Sequence, residues 1–366
     1  MKENLICKIG RYVKGVSLGV FIAISPLEAI AQEPDVQTTQ TKTIEQKRQE
    51  YHAELFKNGF ATIPQLESSN YGASTQAGSS SYPPGYSALL DIDTSWINLN
   101  QNVIRVAKDG SKDFTSIQNA MSSILDSAKT KQYTIEVYPG VYDEQVTCRN
   151  YVHVVGTDRN SVIIRKDVSG QGGLFDSATF RTLNNTPSSI SNITVDNPGR
   201  QYPSLAIYMG GGLSDRSYIH NVDMFGGQDT IVVVNTKTEG SNVTGTSDVF
   251  NVYTFASVVD TTINGTGTEE AFFMGNGGQF LIKDCTINDA YGVLRLATNG
   301  STTYLADNNA TMGGQFIPVD LNGRFGDFYT CRNNFDPFMP SWSIPFDCSP
   351  PAPPEPTSAR SWTQYK

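Results

Sequence analysis

Acidic side chains far outnumber histidines and cysteines in this 366-residue sequence, with 36 Asp and Glu against three His and five Cys. His52, His153 and His220 are the only histidines, and no two of them stand at a metal-ligand spacing, so no metal site is expected. There is no Cys-x-x-Cys pair either. One chemistry open to paired acids is hydrolysis, in which one ionised group attacks a carbonyl and a second, protonated group donates to the leaving alkoxide. The two pKa values must then be split. A second acid close by raises one of them, and a guanidinium beside the attacking group holds the other down, with no need of metal or cofactor. Two segments set acids beside glycines, the second also beside aromatic residues: GGQDT at 226–230 and GTEEAFFMGNG at 267–277.

Such groups must be held by a scaffold. Apolar residues make up 38% of the chain and charged residues only 17%, with 32 glycines, which excludes a coiled coil and a charge-driven disordered chain. The net charge of −9, with no basic cluster, argues against a nucleic-acid partner. Between Gln101 and Phe335 short β-branched runs alternate with Gly, Asn and Asp, and the one helical candidate is Ser116 to Lys129. One pattern recurs there: apolar, any, Asn or Asp, any, any, apolar. Its polar members are Asn192, Asn221, Asp260, Asp284 and Asp307, and the interval from Asn221 to Asp260 is markedly longer than the other three. A repeat in the twenties, with a loop in the longest interval, predicts stacked coils of a parallel β-helix. An antiparallel sandwich would instead show Asn-Gly or Asp-Gly hairpins at short, regular intervals, and these are sparse.

The ends of the chain read differently. Lys2, Lys8, Arg11 and Lys14 precede the apolar stretch Val16 to Ile24, Ser25-Pro26 breaks it, and Ala29-Ile30-Ala31 offers a cleavage site. Residues 1–31 are therefore expected to be a secretory signal, leaving a secreted or periplasmic protein with no membrane association. Their loss removes four cations and two anions and takes the net charge to −11. Residues 32–100 form an N-terminal extension, with a short helix expected at Thr43 to Asn58 and a Ser/Gly/Pro-rich linker or surface-hugging arm from Glu67 to Tyr86. Residues 101–347 are the β-helix, and 348–366 a Pro-rich tail. Of the four cysteines left, Cys331 and Cys348 close the shortest loop and are the first pair expected to bond.

VIRVAKDGSKDFTSIQNAM at Val103 to Met121, TIEVYPGVYDEQV at Thr134 to Val146 and VHVVG at Val152 to Gly156 resemble the opening coils of the pectin methylesterase family. GGQDT and GTEEAFFMGNG continue the resemblance, to about Phe335. It implies an all-β, right-handed parallel β-helix, preceded here by a short helical or irregular extension, and a secreted, monomeric enzyme hydrolysing methyl esters of pectin without metal or cofactor. Carried over residue by residue, it implies Asp229 as general acid, Gln228 as an oxyanion donor and Arg295 as partner of the nucleophile. Ser204 stands where the family has a second Gln. The family's nucleophile lies in Gly-Thr-Val-Asp before Phe-Ile-Phe-Gly-Asn, and Phe272 to Asn276 match the second half. Counting back from Gly275 reaches Ala271, and counting forward from Gly265-Thr266 reaches Thr268, so the acids in range are Glu269 and Glu270, with Glu270 preferred. Ser204, Glu269, Phe272 and Phe273 are expected to line the substrate groove. Two alternatives remain: a non-catalytic, polysaccharide-binding β-helix that has lost its catalytic Asp to Ala271, and a hydrolase of another ester or thioester.

Overall fold

The computed structural model describes residues 82–348, except 184, 200–202, 247, 266–269, 275–277, 291, 297–301, 313–326 and 336–342. At 270, 273–274, 289–290, 292–296 and 312 the description is of the backbone alone. All of this lies in one compact unit, Tyr51–Lys366. The expected signal, the helix at Thr43 to Asn58 and the tail beyond Cys348 fall outside the described residues. Among those described, no helix is long and apolar enough to cross a membrane.

The strands pair in parallel and form three ladders that wind around one apolar interior, the parallel β-helix expected from the repeat, right-handed as the resemblance implied. The first ladder runs from Val103–Val106 through Tyr133–Val137 and Val152–Gly156 to Thr302–Ala306 and Phe328–Cys331. The third runs through Leu205–Gly210, the start of Ile231–Glu239, the start of Phe250–Val259, Glu270–Met274 and Gly292–Leu296. Because side chains alternate along a strand, every second residue points inward, and equivalent residues of successive coils stack in columns. Ile207, Ile231, Phe250 and Phe272 form one such inward column. Full burial of each stabilises the fold by about 1.5–3 kcal/mol.

All five polar members of the repeat occupy one corner. Asn192, Asn221, Asp260, Asp284 and Asp307 have φ between 46° and 56°, the left-handed region that Asn and Asp enter more readily than other side chains. Strand register aligns them, since His220, Glu239, Val259, Lys283, Ala306 and Cys331 are successive partners, each one residue before a corner. The same register corrects the expectation for the long interval between Asn221 and Asp260. It holds a whole coil rather than a loop, and its corner is Gly240, at φ 60°. Glycine takes this conformation without strain, so the turn is made and the polar marker is missing.

The helical candidate is shorter than expected. α1 spans Tyr86–Leu90, and α2 spans Ile117–Ser123 instead of reaching Lys129, because Ile124 is already extended. Ser116 caps α2, and the Glu144 carboxylate accepts from the Ile117 and Gln118 amides, each at 2.9 Å. The buried face of α2, Ile117, Ala120 and Met121, joins the core at the first coil. At the other end Cys331 and Cys348 form the expected disulfide. Beside it, Tyr86, Leu89 and Ile92 pack with Leu281 and Tyr304 of the first ladder, so the end of the N-terminal extension lies against the outside of the helix. The Tyr304 hydroxyl donates to the Pro84 carbonyl.

His153, buried on the outside of the first ladder, is structural. Gln132 uses its amide nitrogen on the carbonyls of Trp96 and Lys129, so its Oε1 accepts from His153 Nε2–H at 2.8 Å and Nδ1 accepts from the Ser189 hydroxyl. Burial lowers its pKa from the usual 6.5 to about 4. Between those pH values the unfolded chain takes up a proton that the folded one refuses. Stability is therefore complete above pH 6.5 and falls as pH drops towards 4, by about 3 kcal/mol from this group. In denaturant titrations, the stability advantage of wild type over His153→Gln should shrink by that amount between pH 7 and pH 4. Parallel curves for the two proteins would refute the assignment.

Candidate active site

The candidate site is built where two turns meet as they lead into neighbouring strands of the third ladder. Gly226-Gly227-Gln228-Asp229-Thr230 leads into the strand Ile231–Glu239, and one coil later the turn after Asn242–Gly245 leads into Phe250–Val259. The turns are laced together. Gly226 N donates to the Thr244 carbonyl at 3.1 Å, Thr246 N donates to the Gly227 carbonyl at 3.2 Å, and the Thr230 hydroxyl donates to that same carbonyl at 2.9 Å. The approach requires glycines. A Cβ on Gly245 would sit 2.0 Å from Thr230 Oγ1, and one on Gly226 would sit 2.5 Å from the Ser204 carbonyl oxygen.

Each turn ends with an aspartate in a left-handed conformation, Asp229 at φ 58° and Asp248 at φ 42°. Both are buried, at 2% and 3% exposure. Each stands two residues before a paired position, since Ile231 is the register partner of Phe250, so the two occupy equivalent places on adjacent coils. Asn251 joins them: its Nδ2 donates to Asp229 Oδ1 at 3.1 Å and to the Asp248 backbone carbonyl at 2.8 Å. Two acids brought together on neighbouring rungs are the arrangement that acid and nucleophile chemistry by carboxylates needs.

The expected second acid is not on the adjacent coil. Phe272 is the register partner of Phe250, so Glu270 lies two coils on from Asp229, a backbone separation of ~10 Å. The carboxylate one coil on is Asp248. Its signal was in the sequence, because Gly245-Thr246-Ser247-Asp248 repeats the Gly-Thr-x-Asp order. Asp248 also follows Asp229 at the same interval at which Gly240 follows Asn221, the length of one coil whose corner lacks the Asn or Asp marker.

The remaining expected residues divide. Gln228 is half-buried beside Asp229, its backbone carbonyl accepting from Ser204 N at 3.1 Å. Ser204 is fully buried beneath that turn and does not line a groove. Phe272 is also corrected: it is fully buried in the interior, with its ring centroid 5.5 Å from that of Phe250, because its place in the strand points it inward. Arg295 shares a backbone column with Tyr208, Val232, Asn251 and Phe273, two strands on from Asn251. Glu269 lies outside the described residues, as do the side chains of Glu270, Phe273 and Arg295. The outward faces of the flanking strands carry an apolar cluster that includes Tyr208, Val232 and Tyr253, with Leu174 and Phe175 packed there.

The Pectinesterase family model matches residues 103–261, a segment that contains Gln228, Asp229, Asp248 and Asn251 and ends before Glu270. Pectinesterase 1 of Olea europaea is 31% identical over 142 residues, which are 35% of this chain and 37% of that protein. The chain thus spans little more than a third of the length of this curated relative. The pectin methylesterase from carrot superposes with a TM-score of 0.55 at 18% identity, over 68% of this chain and 88% of that one. The pectin methylesterase from Aspergillus niger, in deglycosylated form, does so with 0.52 at 16% identity, over 69% and 92%. These two structures share the fold. Through the segment 103–261, the chain is similar to the pectinesterase family.

Proposed function

We propose that this protein is an exported, monomeric carbohydrate esterase that hydrolyses the methyl esters of pectin with two carboxylates and no metal. The observation that carries the reading is the pairing of Asp229 with Asp248 on adjacent coils, bridged by Asn251. In this reading the Asp248 carboxylate attacks the ester carbonyl carbon and the Gln228 amide donates to the developing oxyanion. One such donor typically lowers the barrier by about 2.7–4 kcal/mol. Asp229 gives its proton to the departing methoxide, which leaves as methanol. Water then attacks the acylated Asp248, Asp229 takes a proton from it, and a free carboxylate is released on the polymer. Arg295, whose backbone lies in the Asn251 column, is the cation assigned to the attacking carboxylate.

Net charge supports the substrate class. A chain at −11 without residues 1–31 meets little repulsion from a highly methylated, nearly neutral pectin, and each turnover creates a negative charge that favours product release. The reading as a degenerate binding module rested on Ala271 in the nucleophile's place. Asp248 answers it, since a Gly-Thr-x-Asp carboxylate is present one coil earlier. The test is methanol release from highly methylated pectin by the purified protein. Stoichiometric methanol and new carboxylates are expected; retention on immobilised pectin with no release from it or from other methyl or acetyl esters would overturn the proposal.

A further inference from the structure

We propose that Asn251 is a positioning residue of the site, one that decides which oxygen of Asp229 carries the transferable proton; this rests on the esterase reading above. Asn251 is 1% exposed and stands on the outward side of its strand, in the column between Val232 and Phe273. A buried amide facing out of a β-helix wall needs partners, and its Nδ2 has two acceptors: Asp229 Oδ1 at 3.1 Å and the Asp248 carbonyl at 2.8 Å. The second bond fixes the direction of the first, because an sp² nitrogen holds its two hydrogens in a rigid fork.

The consequence is stereochemical. Asp229 Oδ1 faces an N–H that can only donate, so a proton on that oxygen would confront the amide hydrogen. The acid proton is therefore held on Oδ2, and the ionised carboxylate retains the Asn251 bond after the proton has left. A donor aimed at the charged form favours it, so Asn251 also eases the loss of the proton from Asp229. It ties the acid to the backbone of the turn that carries Asp248, and so keeps the two carboxylates in register. Among the described residues, the titratable groups on the adjacent turn and on the outward faces of the flanking strands include Asp248, Tyr208 and Tyr253. Glu270 and Arg295 follow on the next two strands of the ladder.

The experiment compares wild type with Asn251→Leu, which keeps the volume and removes the donor, and with Asn251→Ser, a smaller polar side chain whose hydroxyl is too short to reach Asp229, in case the leucine variant does not fold. Both variants should lower kcat at least about tenfold at the wild-type optimum, with KM little changed, the size expected for one hydrogen bond to a charged group. The alkaline limb of the pH–kcat profile, which reports loss of the acid proton, should move to higher pH. Carbon-13 NMR of the Asp229 carboxyl, assigned by its disappearance in Asp229→Asn, should titrate at higher pH in both variants. A lower kcat with both limbs unmoved and an unshifted Asp229 titration would overturn the role and leave Asn251 as packing. The titration is read without substrate. It judges Asn251 even if the wild type hydrolyses no ester, an outcome that would instead refute the proposed function.

Discussion

Asp248→Asn is expected to remove ester hydrolysis by at least about 10³-fold while Glu270→Gln keeps the larger part of it, as measured by methanol release under saturating pectin. The two substitutions make the same chemical change, a carboxylate to its amide, so the contrast tests position alone. Asp248 lies on the coil next to Asp229, in the equivalent place and bridged to it through Asn251. Glu270 lies one coil further, at a backbone distance of ~10 Å from Asp229. A misplacement of about 1 Å can cost on the order of 10²-fold in rate, so a carboxylate displaced by a whole rung cannot stand in for the nearer one. Asp229→Asn should be as damaging as Asp248→Asn. The double variant should fall little below either single one, because the pair acts as a unit and its losses are not additive. Full loss in Glu270→Gln with activity retained in Asp248→Asn would restore the glutamate and sink the assignment made here.

Phe272→Ala should destabilise the protein by about 3–5 kcal/mol and leave the KM of the folded enzyme within about twofold of wild type. Phe272 is fully buried and its ring lies against that of Phe250 in the interior column. Truncation leaves a cavity that neighbouring rungs cannot close, since each strand is hydrogen-bonded to one on either side. Urea unfolding gives the stability change, and initial rates below the transition give KM. A raised KM with unchanged stability would place the ring in the groove, as the motif alone suggested.

The scaffold was legible in the sequence because a β-helix repeats one physical problem on every coil. Inward positions must be apolar and the corner must enter the left-handed region, so β-branched runs and Asn or Asp markers recur. Asn192, Asn221, Asp260, Asp284 and Asp307 all proved to be corners. Asp229 and Gln228 were singled out through GGQDT, whose glycines permit the close approach of two turns. The short loop between Cys331 and Cys348 was enough to select that disulfide.

Three-dimensional stacking decided the rest. The number of coils between two acids sets their distance, and one coil turned on Gly240, which satisfies the same backbone requirement as Asn or Asp and leaves no polar mark. Counting from the motif therefore passed over Asp248. The direction of a side chain depends on the register of its strand, and a shift of one residue exchanges groove for core. That is why Phe272 belongs to the interior, why Ser204 is sealed under the Gln228 turn, and why Asn251 emerged only when the two aspartates were seen on either side of it.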